Sequence, residues 1–176
     1  MHRRTVLIGL TGLSAVSATA CAVGLGSIRA AAGTRKIAVI ELEKGGSITL
    51  QLFPEAAAKT VQNFEQKANS GFYNGLIFHR VEDWVVQGGD PRGTGAGGGT
   101  MPSELNDRPF GVGAVGVARG RDMRINNDSQ FFICTKPAEW LNREYTNFGQ
   151  VIDGMDTVQA IRVGDKIKRI TVGSRQ

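Results

Sequence analysis

Metal and redox chemistry have little to draw on in this 176-residue sequence, which holds two cysteines, Cys21 and Cys134, and two histidines, His2 and His79. Cys21 and His2 fall in the first 32 residues, so the rest of the chain keeps one residue of each type. A Cys/His zinc site needs several such ligands at close spacing and is excluded, and no disulfide is expected within residues 33–176. No G-x-S-x-G elbow is present, so His79 has no nucleophile to serve and reads as a satisfied structural histidine. Acidic residues are missing from the first 32 positions, where Arg3, Arg4 and Arg29 stand. Without those three, 18 basic residues face 16 acidic ones, so a formal net charge of +5 drops to +2. No like-charged block runs through the body of the chain, which argues against nucleic acid as a partner. Hydrophobic residues at 41% and charged residues at 21% describe one globular domain.

Residues 1–32 read as an export signal and residues 33–176 as the folded domain. Arg3-Arg4 precedes an apolar run, Val6 to Ala20, and Ala30-Ala31-Ala32 offers a small-residue cleavage site before Gly33. The arginine pair resembles a twin-arginine signal. Ala18-Thr19-Ala20-Cys21 also resembles a lipoprotein box, which leaves two fates for Cys21: removal with the leader, or lipidation and a membrane tether. Gly and Ser interrupt the apolar run and Arg29 closes it, which argues against a spanning helix. The expected location is outside the cytoplasm, periplasmic or secreted, with the membrane reached only through the leader or a lipidated Cys21.

From Thr34 the pattern is that of short strands. Lys36–Leu42 and Ser47–Phe53 alternate and are rich in β-branched residues, with Gly45-Gly46 between them as a hairpin turn. Glu55–Asn69 has helical spacing, with Glu55 in its first turn and Gly71 as its stop. Leu76–Val81, Trp84–Gln87, Ala114–Ala118, Gln130–Thr135 and Phe148–Ile152 read as strands, Met155–Arg162 as a second helix, and Ile167–Val172 as the last strand. Eight short strands with many glycine turns point to a mainly β fold, an antiparallel sandwich or closed barrel.

Gly93-Thr94-Gly95-Ala96-Gly97-Gly98 matches G-x-G-x-x-G. It follows Asp90-Pro91 rather than a strand, precedes Met101-Pro102 rather than a helix, and has no acid between 111 and 120. It therefore reads as a flexible surface loop, and no cofactor is expected. Asn127-Asp128-Ser129 is a glycosylation sequon that carries no weight behind a bacterial-type leader.

The segment Phe78-His79-Arg80, followed after a short linker by Trp84-Val85-Val86-Gln87-Gly88-Gly89-Asp90, resembles the cyclophilin signature. Ser129-Gln130-Phe131-Phe132-Ile133, Glu139-Trp140-Leu141, Phe148-Gly149-Gln150-Val151 and Gly154-Met155 resemble further segments of that family, in the same order. The resemblance covers Ile37 to Val172 and implies an eight-stranded antiparallel closed barrel capped by two α-helices. It implies a peptidyl-prolyl cis-trans isomerase acting on Xaa-Pro segments of unfolded or partly folded proteins, with Arg80 as the catalytic residue. It also implies that Trp84, Val85, Phe132 and Leu141 shape the proline pocket and that Gln87 and Gln130 hold backbone groups. Ala118, Arg119 and Gly120 would pair with the peptide, Tyr145 would form part of the wall, and Trp140 would be the rim residue linked to cyclosporin. A monomer is expected. A non-catalytic proline-peptide-binding module on the same fold is the alternative.

The residues suit this chemistry without the family. Amide resonance sets a barrier of about 18–20 kcal/mol to rotation. A fixed guanidinium that donates to the prolyl nitrogen in the twisted state weakens that resonance. Phe131 and Phe132 are adjacent, so in a strand only one can face the core. The chain also departs from the family pattern. The linker after Arg80 is a residue short, with Glu82-Asp83 in place of Pro-Gly. Trp84 stands for Phe, Arg119 for Asn, Tyr145 for His and Asp128 for Gly. Trp84 and the shortened turn are expected to narrow the pocket and slow turnover or shift the preference before proline.

Overall fold

The computed structural model describes residues 34–175. The export motif, the cleavage site and Cys21 lie outside the described residues. Nine strands form one antiparallel sheet: β1 (Arg35–Leu42), β2 (Ser47–Leu52), β3 (Phe78–Val81), β4 (Val85–Gly88), β5 (Thr100–Pro102), β6 (Ala114–Arg119), β7 (Ile125–Cys134), β8 (Asn147–Asp153) and β9 (Ile167–Arg175). Helix α1 (Ala58–Asn69), helix α2 (Met155–Gln159) and a single 3₁₀ turn at Glu139–Leu141 complete the described elements. The strand order is β3-β4-β7-β6-β8-β2-β1-β9, with β5 paired to β7 off that path. The sheet curls until its two ends meet at the bridge between Ile77 and Lys166, where Ile167 N–H bonds the Leu76 carbonyl at 2.9 Å and Phe78 N–H bonds that of Asp165 at 2.9 Å.

Eight strands were expected, and they are the eight of the main path. The ninth, β5, is three residues long and follows the Gly-rich stretch, too short for an alternating pattern to register. The hairpin at Gly45-Gly46 is present, both glycines having φ near +90°, where a side chain would be strained. Several boundaries move, by one to five residues. Strand β7 starts at Ile125, five residues before the expected Gln130, and α2 stops at Gln159 rather than Arg162. Helix α1 starts at Ala58 and not at Glu55, whose carboxylate instead pairs with Arg108 at 2.5 Å. The N-terminal N–H groups of α1, at Lys59 and Thr60, are capped by Glu104 from the far side of the chain, at 3.0 and 2.7 Å.

The main core fills the curl of the sheet. Phe64 of α1 stands among Tyr73, Phe131 and Phe148, with ring centroids 5.3 to 5.7 Å apart. A second, smaller core lies on the opposite face of β4 and β7, built from Val85, Phe110, Ala114, Phe132, Cys134, Ala138 and Leu141. Burial in it pushes the Cys134 thiol up to about 12, so the residue packs as a small hydrophobe. Among the described residues, no helix is long and apolar enough to cross a membrane.

Candidate active site

Strand alternation sends neighbours to opposite faces, so Phe131 enters the main core and Phe132 the smaller one. Val86 and Val85 divide in the same way. Alternation alone would aim Arg80 inward with Phe78. A bulge prevents it: Phe78 pairs with Gly88 and Arg80 with Gln87, so one extra residue intervenes on β3 and Arg80 turns outward. A larger irregularity lies between β6 and β7, where Val117 faces Phe131 but Arg119 faces Asn126. The surplus residues of β7 fold over Asn127, whose Oδ1 accepts N–H bonds from Ser129 at 2.9 Å and Gln130 at 2.8 Å.

Above the smaller core these residues enclose a cavity of about 400 Å³, within the usual size range for small ligand sites. Nine of the expected site residues line it: Arg80, Trp84, Val85, Gln87, Ala118, Arg119, Phe132, Leu141 and Tyr145. Val85, Phe132 and Leu141 are buried and make its apolar base. Gly120 and Gln130 line an adjoining cavity of about 470 Å³, which shares Gln87, Gly95, Ala118 and Arg119 with the first. Trp140 lines neither. It is 61% exposed and stands edge-on to Trp84, with ring centroids 5.3 Å apart.

One polar chain crosses the mouth of the cavity. Arg80 donates from Nε and Nη2 to Glu82, at 2.7 and 3.1 Å, and from Nη1 to Gln87 Oε1 at 3.2 Å. Gln87 Nε2 donates to Gln130 Oε1 at 2.9 Å, and Gln130 Nε2 donates to the carbonyls of Gly95 and Gly97 at 3.1 and 2.8 Å. The backbone of β6 continues past its pairing with β8, which ends at Gly116 opposite Asn147 with one further bond from Val117 N–H to Thr146 O. Ala118 and Arg119 therefore extend beyond the ladder, where an extended peptide could add.

Two expectations need correction. The Gly-rich stretch is a surface loop, but one tied down by hydrogen bonds and lining both cavities. Asp90, 1% exposed, accepts N–H bonds from Arg92, Thr94 and Gly95, and Asn127 Nδ2 bonds the Gly97 carbonyl at 2.9 Å. Burial alone would raise the Asp90 carboxyl, but these backbone donors hold it below its ordinary range. A Cβ at Gly97 would overlap Asp90 Oδ1. His79 was expected to be a satisfied structural histidine, but neither ring nitrogen has a hydrogen-bond partner among the described residues. Burial holds its pKa down, the Asp90 carboxylate opposes this, and Arg80 adds to it. His79, Thr94 and Gly95 line the cavity and were not expected there. The only signal for Gly95 was the loop's sequence position straight after Asp90. No group of three or more His, Cys, Asp or Glu among the described residues is arranged to hold a metal ion.

Comparison with known proteins gives one answer. The family model for cyclophilin type peptidyl-prolyl cis-trans isomerase/CLD matches residues 37–173. Peptidyl-prolyl cis-trans isomerase B of Bacillus subtilis is 44% identical over 134 residues, 74% of this chain and 94% of that protein. A peptidyl-prolyl cis-trans isomerase of Synechococcus elongatus is 41% identical over 140 residues, 77% of this chain and 94% of its own. Among solved structures, a cyclophilin type isomerase of Cryptosporidium parvum superposes with a TM-score of 0.73 at 29% identity, covering 81% of this chain and 99% of the other. The same protein, crystallised in the presence of the dipeptide Ala-Pro, superposes with a TM-score of 0.71 at 29% identity, over 79% and 99% of the two chains.

Proposed function

This chain belongs to the cyclophilin-type peptidyl-prolyl cis-trans isomerase family, and we propose that it turns Xaa-Pro bonds of unfolded or partly folded proteins by means of Arg80. The observation that carries the mechanism is the position of the Arg80 guanidinium at the wall of a cavity whose base is Val85, Phe132 and Leu141. The proline ring seats on that base. The free N–H groups of Arg80 face the prolyl nitrogen as it becomes pyramidal, and the peptide on either side pairs with Ala118 and Arg119. Catalysis is then preferential binding of the twisted amide, with no covalent step. The exposed Trp140 beside Trp84 supports binding of cyclosporin at the rim.

The test is cis–trans exchange in an Ala-Pro peptide by NMR, with full-length protein and Arg80→Ala. We expect acceleration by the wild type and a loss of roughly 10²–10³ in the variant, the usual effect of deleting one preorganised donor. A second reading, a non-catalytic proline-peptide module, draws on Glu82 occupying two nitrogens of Arg80. It would be favoured if the folded wild type bound the peptide without accelerating exchange.

We also propose that the protein is exported through residues 1–32 and works in the periplasm or beyond it. Support comes from Arg3-Arg4, the apolar run and Ala30-Ala31-Ala32. Mass spectrometry of the mature N-terminus distinguishes cleavage before Gly33 from a lipid on Cys21.

A further inference from the structure

Glu82 stands where the family pattern has a neutral turn, and its carboxylate is not idle. It lies in the turn between β3 and β4, which Glu82 N–H closes by bonding the Val85 carbonyl at 2.9 Å. One oxygen accepts Arg80 Nε at 2.7 Å. The other accepts Arg80 Nη2 at 3.1 Å and Trp84 Nε1 at 3.1 Å. A single side chain therefore fixes the orientation of the guanidinium and of the indole beside it. The Arg80 guanidinium also lies 5.4 Å from the Trp84 ring centroid, and Trp84 in turn abuts Trp140.

We propose that Glu82 is a positioning residue for the isomerisation, clamping Arg80 and Trp84 into one fixed arrangement at the mouth of the proline cavity. The proposal rests on the assignment of Arg80 as the catalytic residue. A two-pronged carboxylate grips one edge of the guanidinium and Gln87 takes one N–H of Nη1, so the plane of the group is set. One N–H on Nη1 and one on Nη2 remain for substrate. An arginine held only by its aliphatic stem would lose several rotamers each time it acted. The Arg80 hydrogen bond holds the Glu82 carboxyl below its ordinary range, so the clamp is charged throughout the neutral range. The same carboxylate fixes the indole of Trp84, itself a lining residue of the cavity.

The test is a kinetic cycle on the full-length protein with an Ala-Pro peptide. Glu82→Ala should lower kcat/KM roughly tenfold, with most of the loss in kcat, because misplacement of an already bound catalytic group raises the barrier without weakening ground-state binding. Glu82→Gln keeps the shape but has one acceptor oxygen, and should fall between the two. In an Arg80→Lys background, whose ammonium presents no fork, Glu82→Ala should change kcat by less than about twofold. In a Trp140→Phe background Trp84 is the remaining tryptophan, and its emission should shift when Glu82 is changed to Gln. Equal losses from Glu82→Ala in the wild-type and Arg80→Lys backgrounds, or an unchanged or raised kcat in Glu82→Gln, would overturn the proposal while leaving Arg80 catalytic. Full activity in Arg80→Ala would overturn both readings at once.

Discussion

The guanidinium carbon of Arg119 lies 4.3 Å from the centroid of the Tyr145 ring. Its Nε donates to the Glu144 carbonyl at 2.9 Å, and its Nη2 pairs with the Glu144 carboxylate at 3.3 Å. In the sequence, Arg119 and Tyr145 read as two separate departures from the family pattern. In the structure they are one unit: a cation at the end of β6 stacks on an aromatic wall of the cavity.

That stacking predicts the effect of removing it. Arg119→Ala should let the Tyr145 ring move and weaken ground-state binding of the peptide. A rise in KM of roughly two- to fivefold is expected, with little change in kcat, on the usual strength of a partly exposed cation–π contact. Steady-state isomerisation of a proline tetrapeptide measures both constants. A large fall in kcat with unchanged KM would place Arg119 in the reaction instead.

The two adjacent phenylalanines should separate stability from activity. Phe131 is 1% exposed among Phe64, Tyr73 and Phe78, and Phe131→Ala should cost about 3–5 kcal/mol in urea unfolding. Phe132 stacks on Phe110 and meets Tyr145 edge-on beneath the cavity. Phe132→Leu keeps most of the volume, so the protein should fold, but kcat/KM should fall roughly tenfold or more because the shaped base for proline is lost. Equal activity losses at both positions, after correction for the folded fraction, would contradict the assignment of faces.

Acid should destabilise the protein in two stages. His79 has a folded pKa below its ordinary 6.5, held down chiefly by burial. Between those two values the unfolded chain binds the extra proton, so stability falls as pH drops below about 6.5. Asp90 also has a lowered folded pKa, where backbone N–H donors outweigh burial, so its contribution is complete above about 3.8 and is lost as pH falls further. Urea unfolding from pH 8 to pH 3 should show both declines. His79→Gln should remove the first and leave the second.

The alternating runs were legible because strand burial has a period of two, and the motif around Arg80 was legible because its residues are contiguous on one hairpin. Of the nine expected site residues that meet in one cavity, Arg80, Trp84, Val85 and Gln87 lie on that hairpin, and the other five reach it from β6, β7 and the segment before β8. The Gly-rich stretch was misread because its composition is that of a loose loop. What restrains it is side-chain bonding, locally from Asp90 and, across 33 and 30 positions of sequence, from Gln130 and Asn127. The start of α1 was misplaced for the same reason: its cap is Glu104, 44 residues beyond Thr60.

The sequence by itself determined the class of fold, the family segments and the separation of Phe131 from Phe132, because all of these are local regularities of one chain. Tertiary structure alone decided where Arg80 points, since a bulge against β4 and not the period of β3 turns it outward. It also decided that Glu82 grips both Arg80 and Trp84, and that Arg119 stacks on the ring of Tyr145, far along the chain. Hydrogen bonds and ring contacts depend on direction as well as proximity. Direction is set when strands pair and loops close, which no single segment encodes.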